Sequence, residues 1–360
     1  MPKEASELTK IADLETPCVV IDLGRVEANL KRAADHAKAN GYALRPHIKT
    51  HKLPRFAKRA LELGAIGITA QKLGEAEVMA DAGLTDIFVP YNIVGQKKLN
   101  RLKALNDRIT IRVTADSPDT VAGYAATFRD QAARPLTVLV ECDTGGHRCG
   151  AQSPAQVLAL ARQIAMSPGL RFGGLMTYPA RGKFAEVDRW LGDAKNMLEE
   201  AGIDVPVVTS GNSPDIWHTG DSIVTERRPG TYIYFDRSQV AFGVASLADC
   251  ALTVLATVVS RPTASRVVID AGSKSLSSDL LNQTTYGAVL GNEAVQVASL
   301  SEEHGIIELP EPSDWPRVGD RIRIVPNHAC VVSNLFDQVN LLSPDGSIEA
   351  VPVAARGRVA

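Results

Sequence analysis

Aromatic residues are scarce, at 5% of the 360 positions, and there are only five cysteines. An odd number of scattered cysteines, in a chain long enough to bury a core unaided, argues against a disulfide framework and for free thiols in a reducing compartment. No run of about 18 consecutive apolar residues occurs, so no spanning helix is expected. Neither sign of charge dominates: 39 Lys and Arg face 41 Asp and Glu, for a formal net charge of −2. A nucleic-acid partner that relies on a basic field is therefore not expected. Residues Met1 to Glu15 are polar and mixed in charge. They lack the basic-then-apolar order of a secretory signal, and a cytoplasmic location is the expectation. There is no tandem repeat and no low-complexity tract.

What is present is an ordinary globular balance, 45% apolar and 22% charged, in a length that suits about two domains. The first two thirds alternate short apolar, β-branched runs with amphipathic stretches. The strand candidates are Val19–Asp22, Ala43–His47, Ile66–Ala70, Asp86–Pro90, Ile109–Val113, Leu136–Cys142, Phe172–Thr177 and Val205–Ser210. Helix-period segments such as Arg25–Asn40, Ala155–Met166 and Ala185–Ala201 lie between them. Eight such strands predict a (β/α)₈ barrel over residues 16–240. A doubly wound open sheet is the competing layout, disfavoured because no GxGxxG follows the first strand. After Val240 the strands are short and punctuated by Gly, Pro, Asp and Ser, which predicts a C-terminal all-β domain over 241–360. Residues 1–15 are expected to pack against that domain.

In a (β/α)₈ barrel the chemistry sits at the C-terminal strand ends. There this sequence places His47, Lys49 and His51, then Gln71, Tyr91 and Asn92. Further on come Asp143, His147 and Arg148, then Tyr178, and last Ser210, Gly211, Asn212 and Ser213. The most unusual segment is Arg45-Pro46-His47-Ile48-Lys49-Thr50-His51-Lys52. A lysine at a strand end, inside a mouth lined by other groups, can act as a nucleophilic amine and form a Schiff base. By composition alone a solvated basic loop is the better reading of the segment. Ser210-Gly211-Asn212-Ser213 offers amides and hydroxyls to a phosphate, or is an ordinary turn. Arg227-Arg228-Pro229-Gly230-Thr231-Tyr232 either walls that site or leads into the next domain. In Pro326-Asn327-His328-Ala329-Cys330 an extended backbone would put His328 and Cys330 on one face. Imidazole and thiolate together suit zinc, although two ligands alone do not fill a metal's shell.

Together these segments resemble the D-threonine aldolase/D-serine dehydratase family of pyridoxal phosphate (PLP) enzymes, which have an alanine racemase-like fold: a TIM barrel followed by a β domain. The resemblance runs from Thr16-Pro17 nearly to the C-terminus, and its most specific motif is RPHIKTHK. It implies that Lys49 bonds to the cofactor, with His47 and Gln71 lining it. Arg148, in Gly145-Gly146-His147-Arg148-Cys149-Gly150, would lie near the phenolic oxygen, and Tyr178 would face the pyridine nitrogen. Lys49, Arg148 and Tyr178 form the implied catalytic set. Ser210, Gly211, Asn212 and Ser213, with Tyr232, would hold the phosphate. His328 and Cys330 would bind a divalent metal (Zn²⁺, Mn²⁺ or Mg²⁺). The resemblance further implies a head-to-tail homodimer in which that pair faces the other subunit's lysine.

The expected substrate is a β-hydroxy-D-amino acid. One departure bears on the reaction: relatives often carry a histidine in the loop after the seventh strand, which here reads Thr177-Tyr178-Pro179-Ala180-Arg181-Gly182. Its absence and the presence of Cys330 favour dehydration to a keto acid and ammonia over aldol cleavage to glycine and an aldehyde. A racemase of the same fold and a non-catalytic PLP carrier are the remaining readings.

Overall fold

The computed structural model describes residues 10–360. In chain order its first nine strands are β1 (Cys18–Asp22), β2 (Ala43–Leu44), β3 (Ile68–Thr69), β4 (Asp86–Val89), β5 (Thr110–Ala115), β6 (Leu136–Cys142), β7 (Leu170–Thr177), β8 (Val208–Ser210) and β9 (Glu226–Arg227). Eight further strands follow: β10 (Leu252–Ser260), β11 (Arg266–Ile269), β12 (Gly287–Val289), β13 (Asn292–Leu300), β14 (Gly305–Glu308), β15 (Arg321–Pro326), β16 (Gln338–Leu342) and β17 (Ile348–Pro352). The chain forms two compact units. One comprises residues 32–49, 53–230 and 357–360; the other comprises residues up to 31, 50–52 and 231–356. One unit carries a TIM-like parallel sheet and the other a mostly antiparallel sheet.

The first unit holds a parallel sheet in the order β2-β9-β8-β7-β6-β5-β4-β3, and a parallel bridge between His47 and Thr69 joins its ends. Every residue of β6 is buried, as expected of a strand covered on both faces. The helices between strands start where the sequence supplies caps. Ser117 accepts from the Thr120 amide at 3.3 Å ahead of Pro118, and Ser153 from the Gln156 amide at 3.3 Å ahead of Pro154. Proline at the first helical position loses no intrahelical bond. The helix Pro154–Met166 then buries Val157, Leu160, Ala161 and Ile164, an i, i+3, i+4, i+7 stripe.

One predicted barrel strand is corrected. Cys18–Asp22 pairs antiparallel with β10 and parallel with β16, so it lies in the sheet of the β unit. Its place in the barrel is taken by β9, between β2 and β8. An apolar β-branched run suits a buried parallel strand and a central antiparallel strand equally, so periodicity did not separate them. β9 escaped notice because it reads Glu-Arg. Glu226 is nevertheless buried, since Arg45 Nε donates to its Oε2 at 2.8 Å and Thr209 Oγ1 to its Oε1 at 2.8 Å. The division between units falls after Gly230 rather than after residue 240.

In the β unit the sheet order is β11-β14-β13-β12-β15-β10-β1-β16-β17. Beyond its β1 register β10 also pairs with β11, which closes six of these strands into a ring. Ring closure leaves those strands few free edges. Of the expected N-terminal contribution, residues 1–9 lie outside the described residues. Arg321 Nη1 donates to the carbonyls of Ile11, Ala12 and Leu14 at 2.7–3.2 Å, within this unit. Among the described residues no helix is long and apolar enough to cross a membrane.

Candidate active site

In the barrel unit the residues after β2 turn back across the strand end. Lys49 sits half-buried in a single 3₁₀ turn, Ile48–Thr50. Its amide donates to His47 Nδ1 at 3.3 Å, so that nitrogen is an acceptor and the ring proton resides on Nε2. His47 Nε2 therefore donates to Gln71 Oε1, 3.0 Å away. Gln71 is itself fixed by the start of the next helix, where its amide and that of Lys72 both donate to Glu75 Oε2. The structure thus brings Lys49, His47 and Gln71 together.

Three bonds tie this segment, through residues 228–230 after β9, to the end of β8 and the loop that follows it. The His47 amide donates to the Pro229 carbonyl at 2.8 Å, and the Gly230 amide to Ser213 Oγ at 3.1 Å. The Arg228 amide donates to the Ser210 carbonyl at 3.1 Å. Gly211 has φ +150°, and a Cβ there would lie 2.6 Å from the Arg228 nitrogen. Only glycine lets the loop approach that backbone so closely. Asn212 Nδ2 donates to Asp215 Oδ2 at 2.8 Å, and the Asp215 amide donates back to Asn212 Oδ1 at 2.8 Å. Among the described residues, no protein acceptor engages the amides of Gly211, Asn212 and Ser213. A preorganised loop with unspent N–H groups fits a phosphate, and the amine of Lys49 has no ion-pair partner among the described residues. The residues present therefore fit PLP.

Arg148 and Tyr178 are also brought together. The guanidinium lies 4.4 Å over the ring centroid, and both side chains are exposed. The loop that carries Arg148 is held by Asp143 Oδ1, which accepts from the amides of Gly145 and His147. Arg148 Nη2 is also 4.0 Å from Glu141, a carboxylate at the end of β6. Burial raises the pKa of Glu141, opposed by Arg148 and Arg228. Arg228 was flanking sequence until the structure showed it buried at a strand end, donating to the Thr177 carbonyl at 2.7 Å and to Thr209 Oγ1 at 2.9 Å. Burial pushes it down to about 10, so it remains a cation at neutral pH.

Tyr232, His328 and Cys330 belong to the β unit. Tyr232 is buried, which raises its phenol well above the usual range. His328 is extended (φ −137°, ψ 90°) and caps the helix Ala329–Leu335, in whose first turn Cys330 lies. The pair meets, but through a helix start rather than the strand alternation the sequence suggested. Cys330 Sγ lies 3.1 Å from Thr50 Oγ1 and 3.6 Å from Thr231 Oγ1. Burial alone would lower the pKa of His328; contact with Cys330 and Asp279 overrides it and raises it to about 9. Among the described residues no group of three or more His, Cys, Asp or Glu is placed to hold a metal. Imidazole and thiol still fit a zinc-type ion whose other positions are filled by oxygen from water or substrate.

A parallel barrel with a lysine and a phosphate-type loop at its mouth, followed by a β unit, defines the alanine racemase-like class of PLP enzymes. A family model described as "Alanine racemase, N-terminal domain" matches residues 21–238, and one described as "Putative serine dehydratase domain" matches 251–342. The D-threonine aldolase of Arthrobacter sp is 33% identical, over 99% of this chain and 97% of its own. The crystal structure of D-threonine aldolase from Filomicrobium marinum matches with a TM-score of 0.89 at 30% identity, covering 99% of this chain and 100% of that one. D-threo-3-hydroxyaspartate dehydratase from Delftia sp. HT23 matches at 0.88 and 30%, covering 95% and 98%. A cysteine-to-alanine variant of such a dehydratase is described as metal-free. The chain belongs to the D-threonine aldolase/D-serine dehydratase family and is a PLP-dependent lyase.

Proposed function

We propose that this lyase acts on a β-hydroxy-D-amino acid with PLP and a divalent metal, removing water to leave an enamine whose hydrolysis gives a keto acid and ammonia. The observation that carries this is the contact of His328 with Cys330. That donor pair suits a zinc-type ion, which could serve a hydroxyl leaving group as a Lewis acid. In this reading Lys49 bonds to PLP, and Ser210, Gly211, Asn212 and Ser213 hold its phosphate with Tyr232. His47 and Gln71 line the cofactor, while Arg148 and Tyr178 address its ring. When bound, PLP supplies an electron sink and the metal a Lewis acid for the β-hydroxyl. Lys49 Nζ would be the group that accepts the substrate's α-proton. His47 donates from Nε2 to Gln71, which holds the turn that aims that amine. Zinc suits the thiol best, with Mn²⁺ or Mg²⁺ the alternatives. A cytoplasmic, head-to-tail homodimer completes the proposal; the five free cysteines support the compartment, and the family resemblance supports the assembly.

Aldol cleavage is the second reading, favoured by the match to the Arthrobacter aldolase. It needs a base for the hydroxyl proton, and the loop from Thr177 to Gly182 offers no histidine. Product analysis decides. PLP-loaded protein with Zn²⁺ or Mn²⁺ is offered D-serine, D-threonine and 3-hydroxy-D-aspartate, with their L-forms as controls. Keto acid with ammonia is expected. Glycine with an aldehyde or glyoxylate would replace dehydration by aldol cleavage.

A further inference from the structure

His328 is 2.7 Å through Nδ1 from Asp279 Oδ2, a residue 49 positions away that no local pattern ties to it. A carboxylate only accepts, so Nδ1 keeps its proton, and Nε2 is the nitrogen that gives up a proton to offer a lone pair to a metal. The loop holding Asp279 is built against the same segment. Asn327, the residue before His328, is buried, and its Nδ2 donates to the carbonyls of Asp279, Leu280 and Thr285 at 3.1, 3.3 and 2.7 Å. Arg237 Nη1 donates to Asn327 Oδ1 at 2.8 Å, which fixes which end of the amide faces the loop. The Asp279 amide donates to Ser277 Oγ at 3.1 Å. Ser277, Leu281 and Asn282 all have positive φ (68°, 48° and 65°), which side-chain-bearing residues adopt only when their surroundings impose it. The backbone on both sides of Asp279 is thus held in left-handed conformations, and its carboxylate lies against one imidazole nitrogen.

We propose that Asp279 is the positioning residue of the metal pair, holding His328 in the orientation and tautomer that present Nε2 to the ion, with Asn327 fixing the loop that carries it. The inference rests on the metal reading above. A carboxylate behind a ligating histidine raises the basicity of the ring and removes its rotational freedom, and loss of such a partner weakens metal binding by about 10–100-fold.

The test is the metal affinity of the PLP-loaded protein, stripped with chelator and titrated with Zn²⁺ and with Mn²⁺ against a competing indicator. Asp279→Ala is expected to weaken binding by about 10–100-fold. Asp279→Asn should fall between it and the native protein, because Oδ1 still accepts from Nδ1. The side chain is 41% exposed, so both metal-free variants should keep the native melting temperature and cofactor absorbance. That separates positioning from a structural role. His328→Ala is the control. Native binding unaffected by His328→Ala would overturn the metal reading and this inference with it. Binding lost in His328→Ala but within about threefold of native in Asp279→Ala would overturn this inference alone. Binding lost as completely in Asp279→Ala as in His328→Ala would make Asp279 a ligand, not a positioning group, and also overturn it.

Discussion

In the barrel unit the site residues hang from strand ends whose backbone is already committed to a sheet. In the β unit the His328–Cys330 pair is held by side chains. Backbone bonds join His47 to Pro229 and Arg228 to Ser210, and only the bond from the Gly230 amide ends on a side chain, that of Ser213, so most side-chain exchanges there leave the scaffold in place. The other half depends on Asp236, buried and accepting from the Ala329 amide at 3.0 Å, and on Asn327 and Asp279. A backbone scaffold is suited to holding a large cofactor by its phosphate, whereas a side-chain scaffold tunes one ligand. The two halves should therefore fail independently. The most severe failure is Lys49→Ala, expected to abolish the absorbance of lysine-bound PLP together with turnover. Normal turnover in that variant would remove the lysine from the chemistry.

The reciprocal experiment is His328→Ala or prolonged chelation. Turnover should be lost while the cofactor absorbance stays, and only the chelated native protein should recover with a divalent ion. Loss of the cofactor absorbance along with the metal would show the halves to be one cooperative structure. A chelator-resistant activity would instead point to a racemase, which needs no leaving-group metal.

The same contrast decides how much was legible beforehand. The lysine segment is local: Arg45 to Lys52 carries its signal in eight consecutive positions. The loop Ser210 to Ser213 is equally compact, and the glycine in it is explained by the approach of Arg228. His328 and Cys330 were visible as a pair, but their meeting at a helix start was not, because two residues carry no period. Asp279 was invisible, since its partner lies 49 residues on. In the barrel, β9 was missed for a related reason. Its two charged residues look like loop until Arg45 is seen inside the unit, paired with Glu226. A polar strand is legible only with its partners.

That interior pairing makes a stability prediction. Arg45 is almost wholly buried, with Nε donating to Glu226 Oε2 at 2.8 Å and Nη1 to Asp86 Oδ1 at 2.6 Å. Glu226→Gln removes a charge from a pair whose other member cannot leave the interior. Breaking a buried pair from one side costs about 3–5 kcal/mol. Denaturant unfolding should show that loss, with the metal affinity of the folded protein unchanged because the metal pair lies in the other unit. An unchanged midpoint would mean that Asp86 alone suffices for Arg45.

The smallest effect expected is Gly211→Ala, and it is the sharpest probe of the backbone scaffold. The added methyl meets the Arg228 nitrogen at 2.6 Å, and φ +150° is a conformation that alanine avoids. The loop must shift away from Arg228, carrying with it the amides of Asn212 and Ser213. A strained position of this kind costs about 1–3 kcal/mol. If that cost falls on the phosphate site, PLP binding weakens by about tenfold for each 1.4 kcal/mol. Cofactor affinity, measured by equilibrium dialysis, should fall while the Zn²⁺ affinity stays at its native value. Equal losses of both would mean that the loop's position is transmitted to the metal pair, and the two halves would then no longer be separate devices.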